Sequence, residues 1–171
     1  MTGIMSAVIG TAQNIIYTPG LILRQYSGYA GTNTAFFDSA TPFNTSVNAA
    51  PAGVSYSGSA DRSALWTGYY RPAATGASNF TVSPSFDDAT NYNYFWLGNS
   101  ARSGYSAGNA QIVGSGSTSI SLLAGHYYPI RIQLAYDGDS GFFDDPELFF
   151  TLLVNGSSSY SVFYNSLTQG F

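Results

Sequence analysis

Apolar and polar residues alternate along this chain in short runs that stop at Gly, Pro, Asn or Asp. A period of two predicts strands with one buried face. Residues 21–26 form the first such run, and residues 63–71 form a second that stops at Pro72. Residues 79–83 put Phe80 and Val82 on one face, and the aromatic run 92–97 ends at Gly98 and Asn99. Residues 119–123 alternate, then Ala124-Gly125-His126 leads into residues 127–134. Strand, tight connection and strand predict a β-hairpin there. The apolar run 147–154 ends in Asn155-Gly156, and residues 160–164 follow as a further strand. No stretch of a dozen residues holds an apolar period of 3.6. The expected fold is therefore all-β, an antiparallel β-sandwich. It is read as a short N-terminal arm, residues 1–19, and one sandwich domain, residues 20–171. Residues 100–118 and 136–147 are expected to be long loops, the usual carriers of function on a sandwich.

Composition sharpens this picture. The chain has 171 residues, 44% of them hydrophobic, enough to bury a core without disulfides. Only 8% are charged, against about 25% in typical domains. There are five Arg, no Lys, eight Asp and one Glu. The best surface helix formers are thus nearly absent, while 14 Tyr and 12 Phe favour strands. A net charge of −4 with scattered Arg excludes a nucleic-acid surface, which needs clustered cations. With no Cys, thiolate metal sites and thiol catalysis are excluded. No run approaches the roughly 20 apolar residues of a membrane span. Residues 1–17 are uncharged but interrupted by Thr2, Gly3, Ser6, Gly10, Thr11, Gln13 and Asn14, which reads as an arm rather than a signal peptide.

Seven of the nine acids fall in two places. Asp87 and Asp88 are adjacent; Asp137, Asp139, Asp144, Asp145 and Glu147 lie close together in a Gly-bearing stretch. Carboxylates in such loops suit Ca²⁺, a hard cation that takes six to eight oxygen ligands. The other reading is that these Asp residues cap backbone N–H groups in turns. Neighbours on an extended strand point to opposite faces. For Asp87 and Asp88 to share one ion the backbone has to leave the strand form, and a cis peptide would achieve that at about 2.5–4 kcal/mol.

Three blocks of residues resemble a known family. Leu65-Trp66-Thr67-Gly68-Tyr69-Tyr70-Arg71-Pro72 with Thr75-Gly76 and Asn79-Phe80-Thr81-Val82 is similar to the opening of protective-antigen-type and GLEYA domains. Phe86-Asp87-Asp88 followed by Phe95-Trp96-Leu97-Gly98 resembles their paired-Asp segment. Residues 119–132, with Ala124-Gly125-His126-Tyr127-Tyr128-Pro129-Ile130-Arg131-Ile132, resemble their third block. The blocks come in family order, and the likeness is strongest to the GLEYA adhesin domains of yeast flocculins and epithelial adhesins. The resemblance implies a β-sandwich lectin in which two consecutive Asp residues, joined by a cis peptide, hold Ca²⁺ that coordinates sugar hydroxyls. Asp87 and Asp88 match that pair. A second loop adds an Asn and backbone carbonyls in the family; here Asp137 or Asp139 stands where that Asn is absent.

The expected metal ligands are therefore Asp87, Asp88, Asp137 and Asp139. The expected sugar-contacting set adds Gly138, Phe142 and Phe143. These two Phe residues either stack on sugar faces or tuck against the sandwich. Trp66 and Trp96 read as core, Arg131 as a structural contact, and Arg102 and Tyr105 as residues at the binding end. His126 has no Ser and carboxylate at motif spacing, so no catalytic triad is expected and the chain reads as a binding protein rather than an enzyme. Its expected partners are glycans, at an extracellular or particle surface. The alternative is a structural part of a virus or phage particle or surface assembly, such as a capsid, fibre or decoration protein. There a low-charge aromatic surface would pack against protein partners and the N-terminal arm would order on a neighbour.

Overall fold

The computed structural model describes residues 15–49, 51, 54–55, 60–84, 92–137, 147–148, 150–157 and 162–166. In chain order the elements are β1 (Thr18–Pro19), β2 (Leu21–Ser27), α1 (Phe36–Ser39), β3 (Asn44–Asn48), β4 (Val54–Ser55), β5 (Arg62–Tyr70), β6 (Gly76–Pro84) and β7 (Tyr92–Leu97). Then follow α2 (Asn99–Arg102), a 3₁₀ turn (Ala107–Asn109), β8 (Ile112–Val113), β9 (Gly116–Leu122), β10 (Tyr128–Tyr136), β11 (Glu147–Leu148), β12 (Phe150–Val154) and β13 (Phe163–Asn165). Among the described residues the strands form a large antiparallel sheet in the order β1-β13-β5-β10-β7-β8, with β2 and β3 joined through β5. A three-stranded sheet, β12-β6-β9, faces it, and β11 pairs with β4.

The core lies between the two larger sheets. Trp66, Phe95, Ile130, Ile132 and Leu134 of the large sheet meet Phe80, Val82, Leu122 and Leu152 of the small one. Phe80 and Val82 share that face, as period-two alternation requires. The large sheet is also covered on its outer face. Tyr26, Ala30, Phe37, Leu65 and Ala135 form a second cluster under the segment around α1. Tyr94, Trp96 and Ala101 form a third under α2, with Tyr105 packed against it. Trp66 and Trp96 are both fully buried. The double cover explains why β5 and β10 are buried along nearly their whole lengths, with the polar Ser63, Thr67, Arg131 and Gln133 buried on the outer face.

Three expectations are corrected. The predicted hairpin is not one: β9 pairs with β6 in the small sheet, while β10 pairs with β5 and β7 in the large sheet. Both edges of β10 are occupied, so the connection through Gly125 crosses the sandwich. The expected strand 147–154 divides between β11 and β12, which pair with different partners. The expected loop 100–118 folds into α2, the 3₁₀ turn and β8, pinned by the Trp96 indole N–H donating to Ser106 O and Asn109 Oδ1 at 3.1 and 3.0 Å. By contrast, the Asn155-Gly156 turn forms as read, with positive φ at both residues, the backbone of a two-residue type I′ connection.

Candidate functional site

Strand β10 ends with Ala135 opposite Tyr92 of β7 and Tyr136 opposite Arg62 of β5. Asp137 follows and is half-buried. Tyr92 is also the residue at which the chain re-enters the large sheet after leaving the small one at Pro84. The two acidic segments of the sequence are therefore anchored on neighbouring strands at one end of the sandwich: the first runs into β7 beside the point where β10 runs out to the second. Asp87, Asp88, Gly138, Asp139, Phe142 and Phe143 lie outside the described residues, as does the peptide bond between Asp87 and Asp88. Among the described residues no group of three His, Cys, Asp or Glu is close enough to hold a metal ion. The donor chemistry of the four carboxylates, with neither imidazole nor thiolate, suits a hard oxygen-seeking cation.

The outer face beneath this end is firmly built. Ser63 Oγ accepts from Ala30 N and donates to Gly28 O, both at 2.9 Å, and Gly28 N donates to Asp61 O at 3.1 Å. Gln133 donates to Thr34 O at 3.0 Å. The segment that carries α1 is thus tied to β5 and β10 by hydrogen bonds to buried side chains, and Tyr92 packs against it.

Arg131 projects from β10 onto the same face and is only 3% exposed. Its guanidinium carbon lies 3.6 Å from the Tyr105 ring centroid, and Nη2 is 3.9 Å from Asp38 Oδ1 of α1. The Tyr105 hydroxyl donates to the same Asp38 oxygen. Burial pushes the Arg131 pKa down, and the neighbouring Tyr105 and Asp38 oppose that shift. The expectation for Arg131 as a structural contact holds in this form. Tyr105, however, is half-buried in this stack over the middle of β10 rather than a residue at the binding end, and α2 with Arg102 follows Gly98, whose N–H donates to Pro129 O near the opposite end of β10. Asp38 was missed. Its signal was its isolation, since Asp38 and Asp61 are the two acids outside the clusters. His126 is exposed in the β9–β10 connection, its ring 6.4 Å from Tyr128.

No helix of the described residues is long and apolar enough to cross a membrane. The family model of the GLEYA domain matches residues 63–144, nearly half of the chain. No curated protein matches the chain. Among solved structures, the epithelial adhesin 6 A domain of Candida glabrata, in complex with Galβ1-3GlcNAc, superimposes with a TM-score of 0.60 at 21% identity, over 90% of this chain and 89% of that one. The epithelial adhesin 9 A domain of the same organism, in complex with Galβ1-4GlcNAc, gives 0.57 at 14% identity, over 88% and 90%. The PA14 domain of an antifreeze protein gives 0.53 at 17% identity, over 91% and 95%. Residues 63–144 therefore carry the GLEYA domain signature, and the chain around them has the sandwich fold of adhesin A domains and PA14 domains.

Proposed function

We propose that this chain is a carbohydrate-binding adhesin domain that captures glycans at an extracellular or particle surface, and that its sugar site requires Ca²⁺. The observation that carries the reading is the GLEYA match over residues 63–144, which contains Asp87, Asp88, Asp137 and Asp139 and the strands that bring their anchors together. The two adhesin domains of the same fold were solved with galactose-containing disaccharides, which supports a glycan as ligand. Asp87, Asp88, Asp137 and Asp139 would hold the ion. When bound, Ca²⁺ offers vacant coordination positions to vicinal hydroxyls of a sugar. The chain supplies the remainder: carboxylates that neutralise the ion, a buried platform under β7 and β10 that fixes where they start, and Phe142 and Phe143 to favour one sugar face over another. A glycan array read with and without chelator tests this. Binding to defined glycans that is abolished by chelator is expected; absent or chelator-insensitive binding overturns the calcium-dependent reading.

A second reading, a structural component of a particle or surface assembly, draws on the exposed apolar residues near the sheet margin. Ile16 is 70% exposed, Val47 58% and Phe43 54%. Ile16 and Phe43 precede β1 and β3, and Val47 lies in β3; these two strands end the pairing beyond β13 and β2. Sedimentation checks it: self-association that weakens on Val47→Lys supports assembly through this margin, and a monomer at high concentration counts against it.

A further inference from the structure

The other end of the sandwich offers a feature of different chemistry. A cleft of about 310 Å³ opens between the 72–78 segment, the Asn155 turn and Val162. Its floor is the buried hydroxyl pair Tyr70 and Ser78, whose oxygens are 3.2 Å apart. β6 runs from this cleft at Gly76 to Pro84 beside the first acidic segment, a separation of about 26 Å at roughly 3.3 Å per residue. The cleft is therefore remote from the strand end at Pro84 that leads into the first acidic segment.

The lining decides what chemistry fits. Among the described residues no charged side chain lines the cleft, so a charged ligand would lose hydration without gaining a partner from them. Polar groups are nonetheless placed in it. One of the two hydrogens of the Tyr70–Ser78 pair is spent between them, and the other remains to donate. Thr75 Oγ1 accepts from Ala124 N, which leaves its own hydrogen. Asn155 accepts at Oδ1 from Asn79 N at 2.9 Å, which fixes its side chain and leaves the NH₂ group. Val154, Val162 and Ala74 give apolar walls between these donors. A volume at the lower end of the about 300–1,000 Å³ range for small-molecule sites suits one ring rather than an extended chain.

We infer that this cleft is a second, cation-independent binding site for a neutral, hydroxyl-bearing ligand of single-ring size, such as the terminal residue of an uncharged glycan. The Asn155 turn builds it: Asn155 has φ +53°, a conformation that Asn tolerates better than most residues, and its backbone N–H also bonds Asn79 O at 2.8 Å. The inference does not rest on the calcium-site reading and survives its failure.

Methyl-resolved NMR tests it, with methyl β-galactopyranoside and methyl α-mannopyranoside titrated in excess chelator and the methyl glycoside of glucuronic acid as the charged comparison. The expected result is a saturable shift of the Val154, Val162 and Ala74 methyls with a neutral glycoside, unchanged in Asp88→Ala and weaker for the uronate. Ala74→Trp, at an exposed position, is expected to abolish the shift by filling the cleft, and Ser78→Ala to weaken binding about tenfold. No shift with either neutral glycoside, or a shift that persists in Ala74→Trp, overturns the inference.

Discussion

Gly68 sits in β5 where two strands share one edge: β2 pairs up to Thr67 and β13 begins opposite Tyr69. A Cβ at this position would lie 2.5 Å from Tyr164 O and 2.6 Å from Leu21 Cδ2. The glycine in Trp66-Thr67-Gly68 is therefore there to admit a crossing backbone. Gly68→Ala is expected to destabilise the protein by about 1–3 kcal/mol, measured by chemical denaturation, with the fold otherwise retained. A second residue-scale prediction concerns pH. Burial raises the pKa of Tyr26, Tyr69, Tyr94 and Tyr105 above the ordinary 10.0, and for Tyr105 the hydrogen bond to Asp38 adds to the effect. A phenol whose folded pKa is raised stabilises the fold fully below the unfolded value, and that contribution is lost as pH rises through the folded value. Unfolding free energy is thus expected to fall above about pH 10, with phenolate absorbance lagging that of the unfolded chain. A flat profile through that range would contradict it.

Strand positions were legible because period-two alternation and turn residues mark them directly. Residues 92–97 were read with the bounds that the structure has, and Phe80 and Val82 were read as sharing one face, as they do in the core. Pairing was less legible. The Ala124-Gly125-His126 connection is as short as a hairpin loop, yet β9 and β10 lie in different sheets. The pattern could not separate them, because Ile130-Arg131-Ile132-Gln133-Leu134 alternates as β9 does, and only tertiary packing leaves β9 a wet face while covering β10 on both. The Asn155-Gly156 turn was legible because its left-handed backbone demands those residue types. Asn155→Ala is expected to cost about 1–2 kcal/mol, from a left-handed alanine and the lost bond to Asn79, while Asn155→Gly costs less. Equal thermal stability of the two variants would show that the turn is not strained by a Cβ.

Across the molecule, the scarcity of charge makes its placement informative. None of the five Arg falls within either acidic cluster, and the topology anchors the two acidic segments on neighbouring strands. That much of the candidate site was legible, because clustered carboxylates stand out in a chain with 8% charged residues. The Arg131–Tyr105–Asp38 stack was not, because it joins residues 38, 105 and 131 through tertiary packing with no local pattern. The neutral cleft was invisible for the same reason, being assembled from small residues of three separate segments. The acidic segments thus start from one end of the sandwich, while the cleft toward the other end has an uncharged lining among the described residues.

The most direct test of the central claim is a calorimetric Ca²⁺ titration of the wild type beside Asp88→Ala and Asp137→Ala. Saturable binding by the wild type, lost in Asp88→Ala and weakened in Asp137→Ala with the fold intact, is the predicted result; equal affinity in all three proteins, or no binding by the wild type, would contradict it.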